Sequence, residues 1–544
     1  MLNMTVAITP RKSLKHRFVR CGLAFILSLS VSVLISVPAL ALTPKDTLVI
    51  GKNIEDIVAL DPAEAYEFSS GEIVKNIYQG LVQYNHEDPT HVMPDIASKW
   101  EVSADSKTII FTLNPNIKFE SGNLLRPEDI IFSFKRLLML NKAPAYILAQ
   151  LGWDKDNIEQ MVKKVDDSHL SIQINADVGV AFALNVLAAR ATSVVDEKVV
   201  RKQAKNDDYG NAYLNQKSAG SGPYKLSIFK PKEAVFLQAN PHAMPAPKLA
   251  KVLIKNIPEP SAQRLILESG DIDIARNLGS DQIAAIKKNP ALKVEVYPQS
   301  AIHFIAFNQK MPALQNPAFW EAARYLIDYK GISENIAHDN MRIHQAFLPV
   351  GFQGALLETP FSFQPEKAQQ ILENAGIKDL EITLDVINSA LFMDMAQSIQ
   401  ASFAQAGIKL KLNPATASQV ITRYRARRHE GILLYWAPDF FDPHANAKAF
   451  TYNVNNADDQ YQSTASWRNA WLIPELSKLT TQALQEKDPE LRTKMYQTLQ
   501  QDFQKSSPIV IGFQEVNQVA MAKSVTGYIH GLTPDMVYFY DVTK

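Results

Sequence analysis

The chain has 544 residues, with 46% hydrophobic and 21% charged side chains and a mean hydropathy of −0.12. That composition is ordinary for a globular protein and gives enough length for two or three compact lobes. Lysine plus arginine equal aspartate plus glutamate at 56 each, so no global charge points to nucleic acid or a membrane surface.

The first forty residues differ from the rest. Arg11, Lys12, Lys15, Arg17 and Arg20 form a basic region, an apolar run follows over 21–37, and Pro38-Ala39-Leu40-Ala41 supplies an A-x-A site. This pattern predicts a cleaved secretory signal peptide over 1–41, with a retained membrane anchor as the weaker reading. Removal takes five of the 56 basic residues and no acidic one, leaving 51 against 56, a net of −5. It also takes Cys21, the only cysteine. The exported chain is then expected to form no disulfide and to offer no thiolate metal ligand or nucleophile. No other apolar run is long enough to span a bilayer, which suggests an unanchored protein of a bacterial periplasm.

Downstream, strand-like and helix-like signals alternate to the end, which predicts an α/β fold. TLVIG at 47–51 and TIIFTL at 108–113 read as short apolar strands. RPEDIIFSFKRLLML places Pro127, Glu128 and Asp129 at a helix start and Ile130, Phe134, Leu137 and Leu138 on one face. From 365 to 436 the pattern is clearest. PEKAQQILENAG predicts a helix from Pro365 that stops at Gly376. LEITLDV alternates as a half-buried strand, a helix follows over 392–406, IKLKL is a second strand, a basic segment follows, and GILLYW is a third strand. A β-α-β-α-β succession predicts parallel strands with right-handed crossovers. In such sheets ligands bind outside the carboxyl ends of the strands, and Asp439 lies just past one. The alternative for Asp439 is a turn aspartate beside Pro438.

Ten segments in order resemble the family 5 extracellular solute-binding proteins, the oligopeptide-, dipeptide- and nickel-type receptors of ABC importers. They include ALDPAEAY, NIYQGLVQYN, IKFESGNLLRPEDIIFSFKR, GSGPYKL, SGDIDIA, HFIAFNQ, QPEKAQQILENAG, YWAPDFFDP and SSPIVIGF, and they run from about residue 47 to 513. The resemblance implies an α/β two-lobed periplasmic-binding-protein clamp (type II, cluster C) with an extra subdomain in lobe I. Lobe I is then expected over 42–88 and 219–302 with the inserted subdomain over 89–218, lobe II over 303–507, and a return to lobe I over 508–544. It also implies capture of a small solute, peptide or peptide-like, by a monomer that delivers it to an inner-membrane permease with a cytoplasmic ATPase. Neither nucleic acid, nor a metal, nor a cofactor belongs to this reading.

By the same resemblance, Asp439 matches the aspartate that holds a peptide's α-ammonium group. A charge-assisted hydrogen bond of this kind is worth about 1.5–3 kcal/mol net. Trp436 and the carbonyl groups beside it, at Tyr435 and Ala437, are expected along the same cleft, with Trp436 as a core residue the competing reading. Asp56 and Ile57 are expected to present a strand end to the ligand backbone from lobe I. One departure stands out. Dipeptide-selective members carry an arginine after the lobe II strand, and no arginine or lysine lies between Asp385 and Gln397 here. A fixed dipeptide ruler is not expected, and a longer peptide or a non-peptide solute (opine, sugar-like or metal chelate) fits equally.

Other signals have blander readings. Asp442-Pro443 is turn chemistry, His303 and His344 are surface or satisfied core histidines, RYRARRHE is a solvated basic face, and the glycines of GSGPY allow a tight turn. Asp439, Asp442 and His444 match no zinc or calcium spacing. A secreted hydrolase is the rival function. The sequence has neither H-E-x-x-H nor G-x-S-x-G, and Asp439 with Asp442 is the carboxylate pair that could serve it. The expectation is a binding protein and not an enzyme.

Overall fold

A computed structural model describes residues 43–544 except 87, 90, 175–177, 338–339, 439 and 460–463. The segment read as a signal peptide therefore lies outside the described residues. No helix among the described residues is long and apolar enough to cross a membrane.

Eleven strands form one large mixed sheet. In chain order they are β1 (Thr47–Lys52), β2 (Tyr224–Lys230), β3 (Ala234–Ala239), β4 (Lys251–Asn256), β5 (Ile274–Ala275) and β6 (Leu292–Phe307). They continue with β7 (Met341–Ile343), β8 (Glu381–Ile387), β9 (Lys409–Ala415), β10 (Gly431–Trp436) and β11 (Ile509–Ala522). Their spatial order is β9-β8-β10-β6-β11-β5-β1-β4-β3-β2, with β7 paired to β11. The β-α-β-α-β unit folds as its periodicity predicts: β8 is parallel to both β9 and β10, with helices Pro365–Asn374, Ala390–Gln405 and Ala417–Arg425 before and between them.

The sheet is held together by β6 and β11. These strands have 16 and 14 residues, and β6 is about 50 Å long at ~3.3 Å per residue. The carboxyl half of β6 pairs with β10 and with the start of β11, and its amino half pairs with the end of β11. The register slips between Pro298 and Ile302, where four steps along β6 face two along β11. A bulge of this kind bends a strand and admits the proline that an unbroken ladder would refuse. The slip marks the waist of the sheet.

Strand direction aims both halves at that waist. β10 runs antiparallel to β6, so its carboxyl end at Trp436 reaches Ile302. β8 runs the same way as β10. On the other side β5 is antiparallel to β11, with Ile274 opposite Met521 and Ala275 opposite Ala520, and β1 is parallel to β5. The carboxyl end of β1 therefore points down β11 toward Gln518. Strand ends from the two halves approach each other over residues 298–302 and 514–518.

A second, four-stranded antiparallel sheet is built from Ala97–Val102, Thr108–Leu113, Val162–Lys164 and His169–Gln173. The helix Pro127–Leu140 packs in the same core, with Ile130, Phe134 and Leu137 at most 1% exposed, as their spacing predicts. It starts where Asp129 accepts hydrogen bonds from the backbone N–H groups of Arg126 and Glu197. GSGPY serves a different purpose from the tight turn expected. Gly220 and Gly222 press on the end of helix Phe68–Ile77, where Gly222 N donates to Ile77 O at 2.8 Å. A Cβ at Gly220 would meet that oxygen at 2.2 Å, so close approach is what demands glycine.

Asp61 of the ALDPAEAY segment has a structural role. It lies wholly buried and takes Arg136 bidentately, Nη1 to Oδ1 at 2.7 Å and Nη2 to Oδ2, while Arg136 Nε donates to Tyr209 O. Asn211 Nδ2 and Ala63 N complete the carboxylate's shell. Removing one partner of such a pair leaves a bare buried charge. Asp61→Asn and Arg136→Met are each expected to destabilise by about 3–5 kcal/mol in urea unfolding, and the double variant by less than the sum. Single losses below about 1 kcal/mol would remove the pair from the stability account.

Candidate functional site

The rim of the waist carries apolar surface that the rest of the fold buries. Past β1, Ile57 is half-buried, while Val58, Tyr66 and Phe68 are exposed; at the end of β10, Tyr435 is 43% exposed. Apolar and aromatic groups in water at converging strand ends are the surface a small ligand would cover. Asp56 is exposed at the same place. Its Oδ2 accepts Ser69 N at 3.0 Å and so satisfies one free donor in the first turn of helix Phe68–Ile77.

The floor of the waist is polar. Mid-β11 reads Gln514-Glu515-Val516-Asn517-Gln518, inside a strand otherwise apolar. Gln514 is fully paired, donating to Gln299 O and Val350 O and accepting from Val350 N. Glu515 Oε1 lies 2.6 Å from Nε2 of His303, which is buried. The His303 ring stacks on Tyr435 at 5.8 Å and 30° and packs against Phe392. Burial, and then the Glu515 charge, raise the Tyr435 hydroxyl pKa.

Beneath the end of β1 lies a buried charge cluster. Lys52 Nζ and Arg276 Nη1 each donate to Glu72 Oε2 at 2.7 Å. Burial works against the Glu72 carboxylate, but Arg276 and Lys52 hold it below the usual range, while burial lowers the Lys52 ammonium. The cluster reaches the floor through His530. Its Nδ1 faces Gly531 O at 3.0 Å, and its Nε2 faces Asn517 Nδ2 at 3.1 Å and Arg276 Nη2 at 3.4 Å. Nδ1 therefore carries the proton and Nε2 accepts. Burial and the adjacent Arg276 push this imidazole down to about 3.

The expected site residues fall into separate groups. Tyr435 joins His303, Phe392 and Glu515. Trp436 is half-buried, and its Nε1 donates to Asn446 Oδ1 at 3.1 Å while its ring meets Phe450, so its one donor is already used within the fold. Ala437 is half-buried beside it. Asp439 lies outside the described residues. Asp56 and Ile57 sit on the opposite side of the waist, and among the described residues no hydrogen bond or ring contact joins them to 435–437. The chain just past β10 does reach the other half, where Phe441 N faces Tyr84 OH at 3.4 Å and Phe440 meets Phe182 edge-on. Two cavities, of about 430 and 380 Å³, are lined by other residues.

Asp442 is more than a turn residue. It caps helix Pro443–Thr451 through His444 N and takes Arg492 Nη2 at 2.7 Å, with no exposed surface. Both bonds fall on Oδ1, and Oδ2 is buried without a partner, so the carboxylate is closed to a substrate in solvent. His303 belongs to the floor rather than to the outer surface, and Glu515 and Asn517 were not singled out by sequence reasoning. The available signal was the polar run QEVNQ inside an apolar strand. Among the described residues, no group of three or more His, Cys, Asp or Glu could hold a metal ion.

The model of the bacterial extracellular solute-binding proteins, family 5 (middle), matches residues 91–458. The chain is 29% identical over 507 residues to a probable D,D-dipeptide-binding periplasmic protein of Escherichia coli K12, covering 92% of this chain and 94% of that one. It is 26% identical over 481 residues to a dipeptide-binding protein of Pseudomonas aeruginosa PAO1, covering 83% and 86%. Among solved structures, HbpA2 of Haemophilus parasuis superposes with a TM-score of 0.78 over 91% of this chain and 99% of that one. At 22% identity, that likeness bears on the fold.

His344 and His429 are held at about 4, and His444 and His530 at about 3, in each case first by burial. An unfolded histidine titrates near 6.5, so the unfolded chain binds these protons first as pH falls. The stability from their neutral burial is complete above pH ~6.5 and is lost toward pH 3–4, at about 1.4 kcal/mol per pH unit for each histidine. Asp95, raised to about 6 by burial, works in the opposite direction between pH ~6 and ~4. The urea midpoint is expected to fall steeply from pH 6.5 to 4.5, and less steeply in His530→Gln. A flat profile would contradict the buried neutral histidines.

Proposed function

The chain belongs to the bacterial extracellular solute-binding proteins, family 5, and on that premise we propose that it captures a peptide or peptide-like solute for an ABC importer. The observation that carries this reading is the convergence on one waist of strand ends from both halves of a shared sheet. A solute there touches both halves only when they are together, so binding favours the closed arrangement. The relatives' names, periplasmic and dipeptide-binding, support the same ligand class and compartment.

In this reading residues 1–41 direct export and are removed, and the mature chain acts as a monomer. Lobe I comprises 42–88 and 219–302 with an inserted subdomain over 89–218, lobe II comprises 303–507, and 508–544 returns to lobe I. The closed form docks on an inner-membrane permease driven by a cytoplasmic ATPase. Asp439 receives the solute's ammonium group, Tyr435, Trp436 and Ala437 line the lobe II wall, and Asp56 and Ile57 line the lobe I wall. No catalytic step is involved.

Asp439→Asn is expected to weaken calorimetric binding of tri-alanine at least tenfold. It is expected to leave the melting temperature nearly unchanged, and N-acetylation of the peptide to mimic the variant. Equal affinity of variant and parent would remove Asp439 from the site.

A further inference from the structure

Glu515 is the one charged residue of its strand. It stands in the middle of β11, where buried Phe513 and Gln514 give way to the half-buried run Glu515-Val516-Asn517, and its side chain is 35% exposed. Its recorded polar contact is His303 Nε2, whose ring is 1% exposed. The other ring nitrogen, Nδ1, is buried without a partner. A proton on Nδ1 would be a buried donor with nothing to receive it, so the ring is the Nε2–H tautomer. His303 thus fixes the carboxylate in place through one oxygen, Oε1. No lysine or arginine pairs with Glu515 among the described residues. Arg342, on β7 beside Gln514, is exposed, and no ion pair joins it to the glutamate.

An aromatic face completes the arrangement. Tyr435 stacks on the same histidine, stands 43% exposed at the end of β10, and feels the Glu515 charge. A pinned carboxylate with no lysine or arginine partner among the described residues, beside an open aromatic ring, is complementary to a cation, through a charge-assisted hydrogen bond and a cation–π contact. Holding this charge at the waist has no structural benefit beyond one bond to a histidine that is already stacked and buried. Lobe II, for its part, offers no basic residue between Asp385 and Gln397 to grip an anionic end.

We propose that Glu515 and Tyr435 form a seat for a second positive group of the solute, a side-chain ammonium or guanidinium, and so select basic peptides. This rests on the peptide-receptor reading above. The test is calorimetric binding of Ala-Lys-Ala, Ala-Arg-Ala and the Nζ-acetylated form of Ala-Lys-Ala to parent and Glu515→Gln. The parent is expected to prefer the charged peptides over the acetylated one at least tenfold, and Glu515→Gln to bring that ratio close to one. Because the glutamine could disturb His303, Tyr435→Leu serves as a second variant that spares the His303–Glu515 bond, and a threefold or larger fall in the ratio is expected. Peptides bound without a preference for charge, or a ratio unchanged in both variants, would overturn the seat and leave the receptor reading intact. Binding of none of the peptides would overturn both.

Discussion

Two long antiparallel strands, β6 and β11, belong to both halves of the molecule at once, and the rest of the structure is arranged around that sharing. Either half alone would end in open strand edges, which expose unpaired backbone groups. Joined through the same ladder, β8 to β10 extend it on one side and β1 to β5 on the other. Because β10 and β8 run antiparallel to β6, and β5, β1 and β4 antiparallel to β11, these strands deliver their carboxyl ends toward the middle. The loops that follow those ends meet at the waist, where the proposed function puts the solute. The site is thus a consequence of strand direction before any particular side chain is considered.

The waist is where the ladder is weakest and most polar. The slip at Pro298–Ile302 removes regular pairing, and buried Gln299, Ser300, His303, Gln514 and Gln518 take the place of apolar core. Each such group must find a partner or destabilise the fold by about 1–3 kcal/mol. Gln514 does so completely through backbone groups. Glu72 satisfies two cations with one oxygen and leaves Oε1 unpartnered, and Gln299 Oε1 and His303 Nδ1 are likewise unpartnered. Unpartnered polar atoms also occur elsewhere in the fold, at Asn185, His429 and Asp442 among others, so those at the waist are part of a wider incomplete satisfaction.

Much of this was legible in the sequence because it depends on local periodicity. TIIFTL, the helix from Pro127 to Leu140, and the parallel unit from 381 to 436 obey 2- or 3.6-residue patterns that short windows reveal. The resemblance motifs gave the family, but not the role of each residue. Asp61 looked like part of a signature, and its work is to bury Arg136, 75 residues away. Trp436 had two readings, and its N–H is given to Asn446. Glu515 and His303 lie 212 residues apart in sequence, and no local pattern joins them. No sequence signal marked the strand over 292–307, which runs through Pro298 because the ladder slips there opposite Val516. What escaped was in each case a contact between distant segments.

The central claim is that solute is held where strand ends from the two halves meet. Hydrogen–deuterium exchange of the mature protein, with and without a saturating peptide, tests it most directly. The account predicts that slowing appears together in the loop after β1, the loop after β10 and the mid-β11 segment 514–518. Slowing confined to one half, or centred on the cavity lined by Lys75 and Asp95, would contradict it.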